Sequence, residues 1–173
     1  MYEAKNFDYL LGLPGFSDQL MKNHFTLYQG YVMTANKVNS LLDAMLKNDT
    51  VGTPEYAELT RRFGWEFNGM RLHEYYFEAM TKEPSQLAAT SPLAQKIVAE
   101  FGSLELWEKD FKAVAAMRGI GWAILAYDAA GDRLFNVWIN EHDVGHLAGA
   151  KPILVMDVFE HAFVLDYGMN RAE

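Results

Sequence analysis

Asp157-Val158-Phe159-Glu160-His161-Ala162-Phe163, entered from the apolar run Pro152 to Met156, is the stretch that decides how this chain is read. The run reads as a buried strand. The stretch after it places a carboxylate and an imidazole at i and i+4, a spacing that sets both on one face of a short helix expected over Val158 to Tyr167. Asp and His so spaced make a chelating pair. The chain has five histidines, His24, His73, His142, His146 and His161, and the first two lie on apolar faces of long helical periods. By position alone each of those two could be a satisfied core histidine. Acids and imidazoles are rarely buried without partners, however, so two such histidines together with the Asp157–His161 pair point to one shared ion held by three nitrogens and one oxygen. That donor set suits iron, manganese or zinc better than calcium or magnesium. The chain has no cysteine, which excludes thiolate zinc sites and disulfides.

Outward from that stretch, the pattern predicts two long helices. The first starts at the N-cap Ser17 and carries Leu20, His24, Leu27, Tyr31, Val38, Leu41, Leu42 and Met45 at helical spacing. The second starts at Thr53-Pro54-Glu55 and carries Leu59, Phe63, Phe67, Met70, Leu72, His73, Tyr76, Phe77 and Met80. Ser91-Pro92 and Ser103 open two shorter helices. After Gly119-Ile120-Gly121 the character changes. Trp122 to Tyr127 and Leu134 to Ile139 read as a hairpin about the turn Asp128 to Asp132, Asn140 to Lys151 as a polar, Gly-rich loop, and Pro152 to Met156 as a third strand. The fold class is therefore α+β: an N-terminal long helical hairpin over residues 1–88, then a C-terminal α/β domain over residues 89–173 with a small three-stranded antiparallel sheet. The metal site falls between the two.

Composition narrows the function further. With 173 residues, half of them apolar, the chain can bury a substantial core, and a net charge of −8 argues against nucleic acid as a partner. No apolar run approaches the roughly 20 residues that span a bilayer, and Met1 to Lys22 mixes in too many charges for a signal peptide, so a cytoplasmic protein without a membrane partner is expected. There is no HExxH, no Glu-x-x-His, no Gly-rich phosphate loop and no GxSxG elbow.

The residues that carry this reading resemble the iron/manganese superoxide dismutases. Asp157-Val158-Phe159-Glu160-His161-Ala162-Phe163 follows that family's Asp-x-Trp-Glu-His-Ala-Tyr signature with Phe in both aromatic places. Asn68-Gly69-x-x-Leu72-His73-x-x-Tyr76-Phe77 resembles its second-helix motif, and His24 with Gly30-Tyr31-Val32 and Asn36 resembles the first. Gly121-Trp122-Ala123 is similar to its sheet entry, and Arg171 falls where the family carries an anion-attracting arginine. The resemblance implies one iron or manganese ion per chain on His24, His73, Asp157 and His161. It implies one-electron cycling that converts two superoxide anions to O2 and H2O2. Tyr31, the counterpart of a gateway tyrosine, would share proton delivery with bound solvent. A metal-binding or redox-sensing protein of the same fold with little dismutase activity is the alternative.

The family's solvent-bonding Gln is absent from the second helix, where Gly69 stands four residues before His73. His142, fifteen residues before Asp157, takes the loop position, with His146 as runner-up. His24 precedes Tyr31 by seven residues where the family has eight, so either the helix lacks a one-residue bulge or His24 is not the ligand. A second histidine is replaced around Leu27-Tyr28, and its partner tyrosine falls at Val164. Glu160 is retained, which implies a homodimer through Glu160 and His161, with further assembly left open.

Overall fold

The computed structural model describes residues 1–173. A 3-10 turn at Asp8–Leu10 precedes α1 (Asp18–Lys47) and α2 (Pro54–Glu78), which pack as an antiparallel hairpin. Each of the four predicted caps forms. Ser17, Thr53, Ser91 and Ser103 accept from the backbone N–H three residues on, at the starts of α1, α2, α3 (Pro92–Phe101) and α4 (Leu104–Ala115). Such a bond satisfies one of the N–H groups a helix leaves open, and losing it costs about 1 kcal/mol. Thr81 to Thr90, between α2 and α3, is exposed throughout.

Strands β1 (Gly121–Asp128), β2 (Arg133–Asn140) and β3 (Lys151–Asp157) form an antiparallel sheet in the order β2-β1-β3. The central strand is buried on both faces, as alternation requires. Trp122, Ile124 and Ala126 join Leu20, Phe25, Tyr28, Phe77 and Val155 in the core shared with the hairpin, whereas Ala123 and Leu125 pack with Ile97, Phe111 and Leu134 beneath α3 and α4. Gly121 enters the sheet at φ +147°, and a Cβ there would stand 1.9 Å from the Ile139 carbonyl oxygen, so only glycine lets β1 begin where it does. No helix is long and apolar enough to cross a membrane.

Two expectations change. The buried face of α1 runs through Tyr28, Val32 and Ala35, with Leu27 and Leu41 outward, because the N-terminal segment lies across the hairpin and covers Tyr28. The last helix is also broken into a 3-10 turn at Glu160–Ala162 and a short α5 (Val164–Tyr167). Asp157 is still paired with Trp122 in the sheet, and its Oδ1 accepts from the Phe159 N–H at 2.9 Å, which holds the chain extended and delays any helix. The Asp157–His161 pair therefore spans a strand end and a 3-10 turn rather than one helix face.

Candidate metal centre

Four side chains from four elements meet at the boundary between hairpin and sheet. His24 comes from α1, His73 from α2, Asp157 from the end of β3 and His161 from the 3-10 turn. The Nε2 atoms of His161, His24 and His73 lie 3.0, 3.1 and 3.5 Å from Asp157 Oδ2. One donor atom from each residue falls within 4.8 Å of all the others, close to the ~4.2 Å span of a shell whose bonds are about 2.1 Å. His24, His73 and Asp157 are buried, while the His161 side chain keeps 24% of its surface.

The chemistry of one nitrogen tests whether an ion fits. His73 Nδ1 donates to the Gly69 carbonyl at 2.5 Å, so the neutral ring carries its lone pair on Nε2. That atom is buried, has no hydrogen-bond partner and faces a carboxylate oxygen, itself an acceptor. Two buried acceptors facing each other at 3.5 Å call for a cation between them. Burial holds the His73 imidazole down at about 3, so a proton does not fill that need near neutral pH, and burial likewise lowers His24. Burial alone would raise the Asp157 carboxyl, but hydrogen bonds from His161 and His24 outweigh it and keep the group well below the usual carboxylate range. Three imidazoles and one carboxylate are the ligand set of a borderline transition-metal ion.

Aromatic groups wall this cavity. Tyr31 stacks on His73 with ring centroids 5.3 Å apart, and its Oη lies 2.7 Å from His142 Nε2. Trp122 Nε1 donates to His142 Nδ1 at 3.0 Å. Phe159 stacks between His142 and His161, at 4.9 and 5.1 Å. Burial raises the Tyr31 phenol to about 12 and lowers the His142 imidazole to about 4. The one-residue difference in α1 also resolves. Helix α1 is regular throughout, and seven residues turn it by about 700°, within about 20° of two full turns, so His24 and Tyr31 share a stripe without a bulge.

The other expected site residues lie further out. His146 Nε2 donates to the His142 carbonyl at 2.9 Å and lines a small apolar cavity, so it braces the loop. Arg171 is not at the cluster. Its guanidinium donates to the carbonyls of Met117 (2.6 Å) and Gly119 (2.8 Å) and lines a cleft of about 390 Å³ with Arg118, Ile120 and Glu160. Three groups escaped the sequence reading. Trp65 sets its ring edge-on against His142 at 5.0 Å, Glu66 is buried against Arg62 at 2.6 Å, and Tyr28 donates to the buried Glu74, which Arg71 pairs at 2.6 Å. Trp65 stands eight residues before His73, a helical repeat that could have flagged it.

A helical hairpin and a small antiparallel sheet that together bring three imidazoles and one carboxylate to one point are the arrangement of a mononuclear, non-haem metal-binding protein. The comparisons with known proteins narrow the class. Residues 89–173 match the family described as iron/manganese superoxide dismutases, C-terminal domain. A superoxide dismutase [Mn] of Haloferax volcanii is 35% identical over 162 residues, covering 92% of this chain and 79% of the relative. One of Halobacterium salinarum is 36% identical over 173 residues, covering 95% and 81%. A superoxide dismutase [Fe] of Cupriavidus metallidurans is 32% identical over 164 residues, covering 92% and 80%. The chain belongs to the iron/manganese superoxide dismutase family.

Proposed function

We propose that this chain is a superoxide dismutase whose one iron or manganese ion is held by His24, His73, Asp157 and His161. The ion, when bound, supplies one-electron cycling, through which one superoxide is oxidised to O2 and a second, with two protons, is reduced to H2O2. The chain's own residues supply the rest. Asp157 and the three imidazoles fix the donor positions, and the hydrogen bond from His73 Nδ1 to Gly69 sets the tautomer that leaves Nε2 free for an ion. Trp122, Phe159 and Tyr31 keep bulk water from the cavity, and the Tyr31 hydroxyl stands over His73 as a proton donor. Arg171, locked by two carbonyls, offers fixed positive charge in a cleft beside Glu160, the neighbour of the most accessible ligand, His161. Arg118 lines the same cleft, which no lysine does, so a local field can draw in an anion despite the net charge of −8.

The buried, partnerless His73 Nε2 facing Asp157 Oδ2 carries this reading. Division of the ligands also supports the two-domain boundary at 88/89, with His24 and His73 in the first half and Asp157 and His161 in the second. Glu160 is exposed and makes no ion pair within the chain, which suits a homodimer in which it meets the partner's His161; a cytoplasmic, antioxidant role accompanies the activity. Elemental analysis, joined to a superoxide assay after reconstitution with iron and separately with manganese, tests the proposal. About one ion per chain with turnover supports it and identifies the working metal. Stoichiometric metal without turnover replaces it with a carrier or redox sensor, and no metal uptake overturns it.

A further inference from the structure

Leu72, the residue before His73 on α2, lines a second hollow in the fold. This is an apolar cavity of about 40 Å³ on the face of the sheet that packs against the hairpin, with Ile124 and Ala126 of β1 and Val137 and Ile139 of β2 as its floor. Trp122 points to the same face two residues before Ile124, and its ring centroid lies 5.0 Å from that of His73. Two residues advance a strand by about 7 Å, so the cavity begins one side-chain layer beyond the indole that touches the ligand. The loop between β2 and β3 forms the other wall. Leu147 in that loop is exposed, whereas Leu72, Ile124, Ala126 and Ile139 are buried, so the cavity is closed toward the core and opens at the loop.

Size and lining fix the kind of molecule that fits. A buried water needs about 10–15 Å³ and two to four polar partners. The cavity has the room, but His146 is the one polar residue that lines it, and its Nε2 is committed to the His142 carbonyl at 2.9 Å. The floor strand β1 is paired with β2 on one side and β3 on the other. An apolar cavity that takes benzene measures about 150 Å³, so this one is limited to a diatomic molecule or a noble-gas atom.

We propose that this cavity is a binding site for small, uncharged gas molecules, and that O2 is its occupant during turnover. The gas site stands on size and lining; the choice of O2 rests on the dismutase reading. Superoxide is an ion, and burying it in such a lining without a partner is costly. When one electron passes from superoxide to the bound ion, the charge is lost and no bond between the oxygen atoms breaks. An ion that the lining rejects thereby becomes a molecule that it admits, so the cavity sorts product from substrate by charge.

Crystals of the metal-loaded chain, pressurised with xenon and separately with O2, test the proposal. A xenon peak in anomalous scattering is expected among Leu72, Ile124, Val137 and Ile139, with elongated O2 density at the same place. Ala150→Val adds two methyl groups from the loop side and is expected to abolish both signals. Ala126→Val fills the same space from the floor, and it provides the control if Ala150→Val displaces the loop. Ordered water at that place under gas pressure, no xenon there, or xenon undiminished in both filled variants overturns the gas site. Xenon without O2 overturns the choice of O2. Because neither signal depends on turnover, xenon and O2 bound to a chain without dismutase activity refute the dismutase reading and leave the gas site standing.

Discussion

Replacing Gly69 by alanine puts a methyl group where Tyr31 already is. A Cβ at this position would lie 2.5, 2.7 and 2.9 Å from Cδ1, Cε1 and Cγ of the Tyr31 ring, against about 3.5–4.0 Å for carbon atoms in comfortable contact. The ring must therefore retreat by about 1 Å, and it cannot move toward His73, on which it stacks. A 2.7 Å contact from Tyr31 Oη to His142 stretches past hydrogen-bonding range with a shift of that size. Overpacking of this kind costs about 1–3 kcal/mol, while the helix propensity of alanine returns up to about 1 kcal/mol. Gly64, on the same helix, has nothing within 4 Å of its would-be Cβ, so Gly64→Ala gains the propensity without the clash. Denaturant unfolding of both variants should show Gly64→Ala stabilised by about 0.5–1 kcal/mol and Gly69→Ala lower than it by about 1–3 kcal/mol. Metal per chain should be unchanged in each, since the Gly69 carbonyl that orients His73 is retained. Turnover per metal ion should fall at least about tenfold in Gly69→Ala alone, as Tyr31, the proposed proton donor, leaves its place. A Gly69→Ala protein as stable and as active as Gly64→Ala would refute the assignment of Tyr31 to the proton step.

Asp157→Asn removes the one carboxylate of the proposed ligand set and should take metal content from about one ion per chain to a small fraction; full occupancy on elemental analysis would remove Asp157 from that set. Arg171→Ala should lower kcat/KM for superoxide and flatten its dependence on ionic strength while leaving metal bound, and an unchanged salt slope would take Arg171 out of substrate attraction. His142 is held at about 4, below the ordinary 6.5, by burial. The unfolded chain therefore binds a proton between about pH 6.5 and 4 that the folded chain refuses, so this stability is fully present above pH 6.5 and lost as pH falls, by up to about 3 kcal/mol. Urea midpoints should drop over that window, and less so in His142→Gln; parallel curves would show that other groups govern the acid limit. Glu160→Gln should shift the protein from dimer to monomer in sedimentation at low concentration, and an unaltered monomer–dimer balance would place the interface elsewhere.

Local signals carried much of the architecture. Four Ser or Thr caps started four helices, the 3.6-residue period set the hairpin, and the hairpin and third strand emerged within a residue of the predicted bounds. Those features depend on neighbours a few residues apart, whose geometry the backbone dictates. The broken last helix did not show, because the Asp157 carboxylate stays paired with the sheet and caps the Phe159 N–H, and both interactions depend on where β1 lies. Likewise Tyr28 replaced Leu27 on the buried stripe because of a segment more than twenty residues earlier in the chain, which lies across α1.

The four metal-binding candidates could be named from residue types and spacing alone, since three imidazoles and a carboxylate on apolar faces have few ways to be satisfied without an ion. Their meeting at one point belongs to the tertiary structure, which alone sets distances between residues 133 positions apart, such as His24 and Asp157. The role of His142 divides the same way. Its place in the chain marked it as a group near the site, yet only the packing brought Trp122 Nε1 to one of its nitrogens and Tyr31 Oη to the other. A sequence specifies what each side chain can donate or accept; the direction of a hydrogen-bond chain follows from which donors the fold brings together.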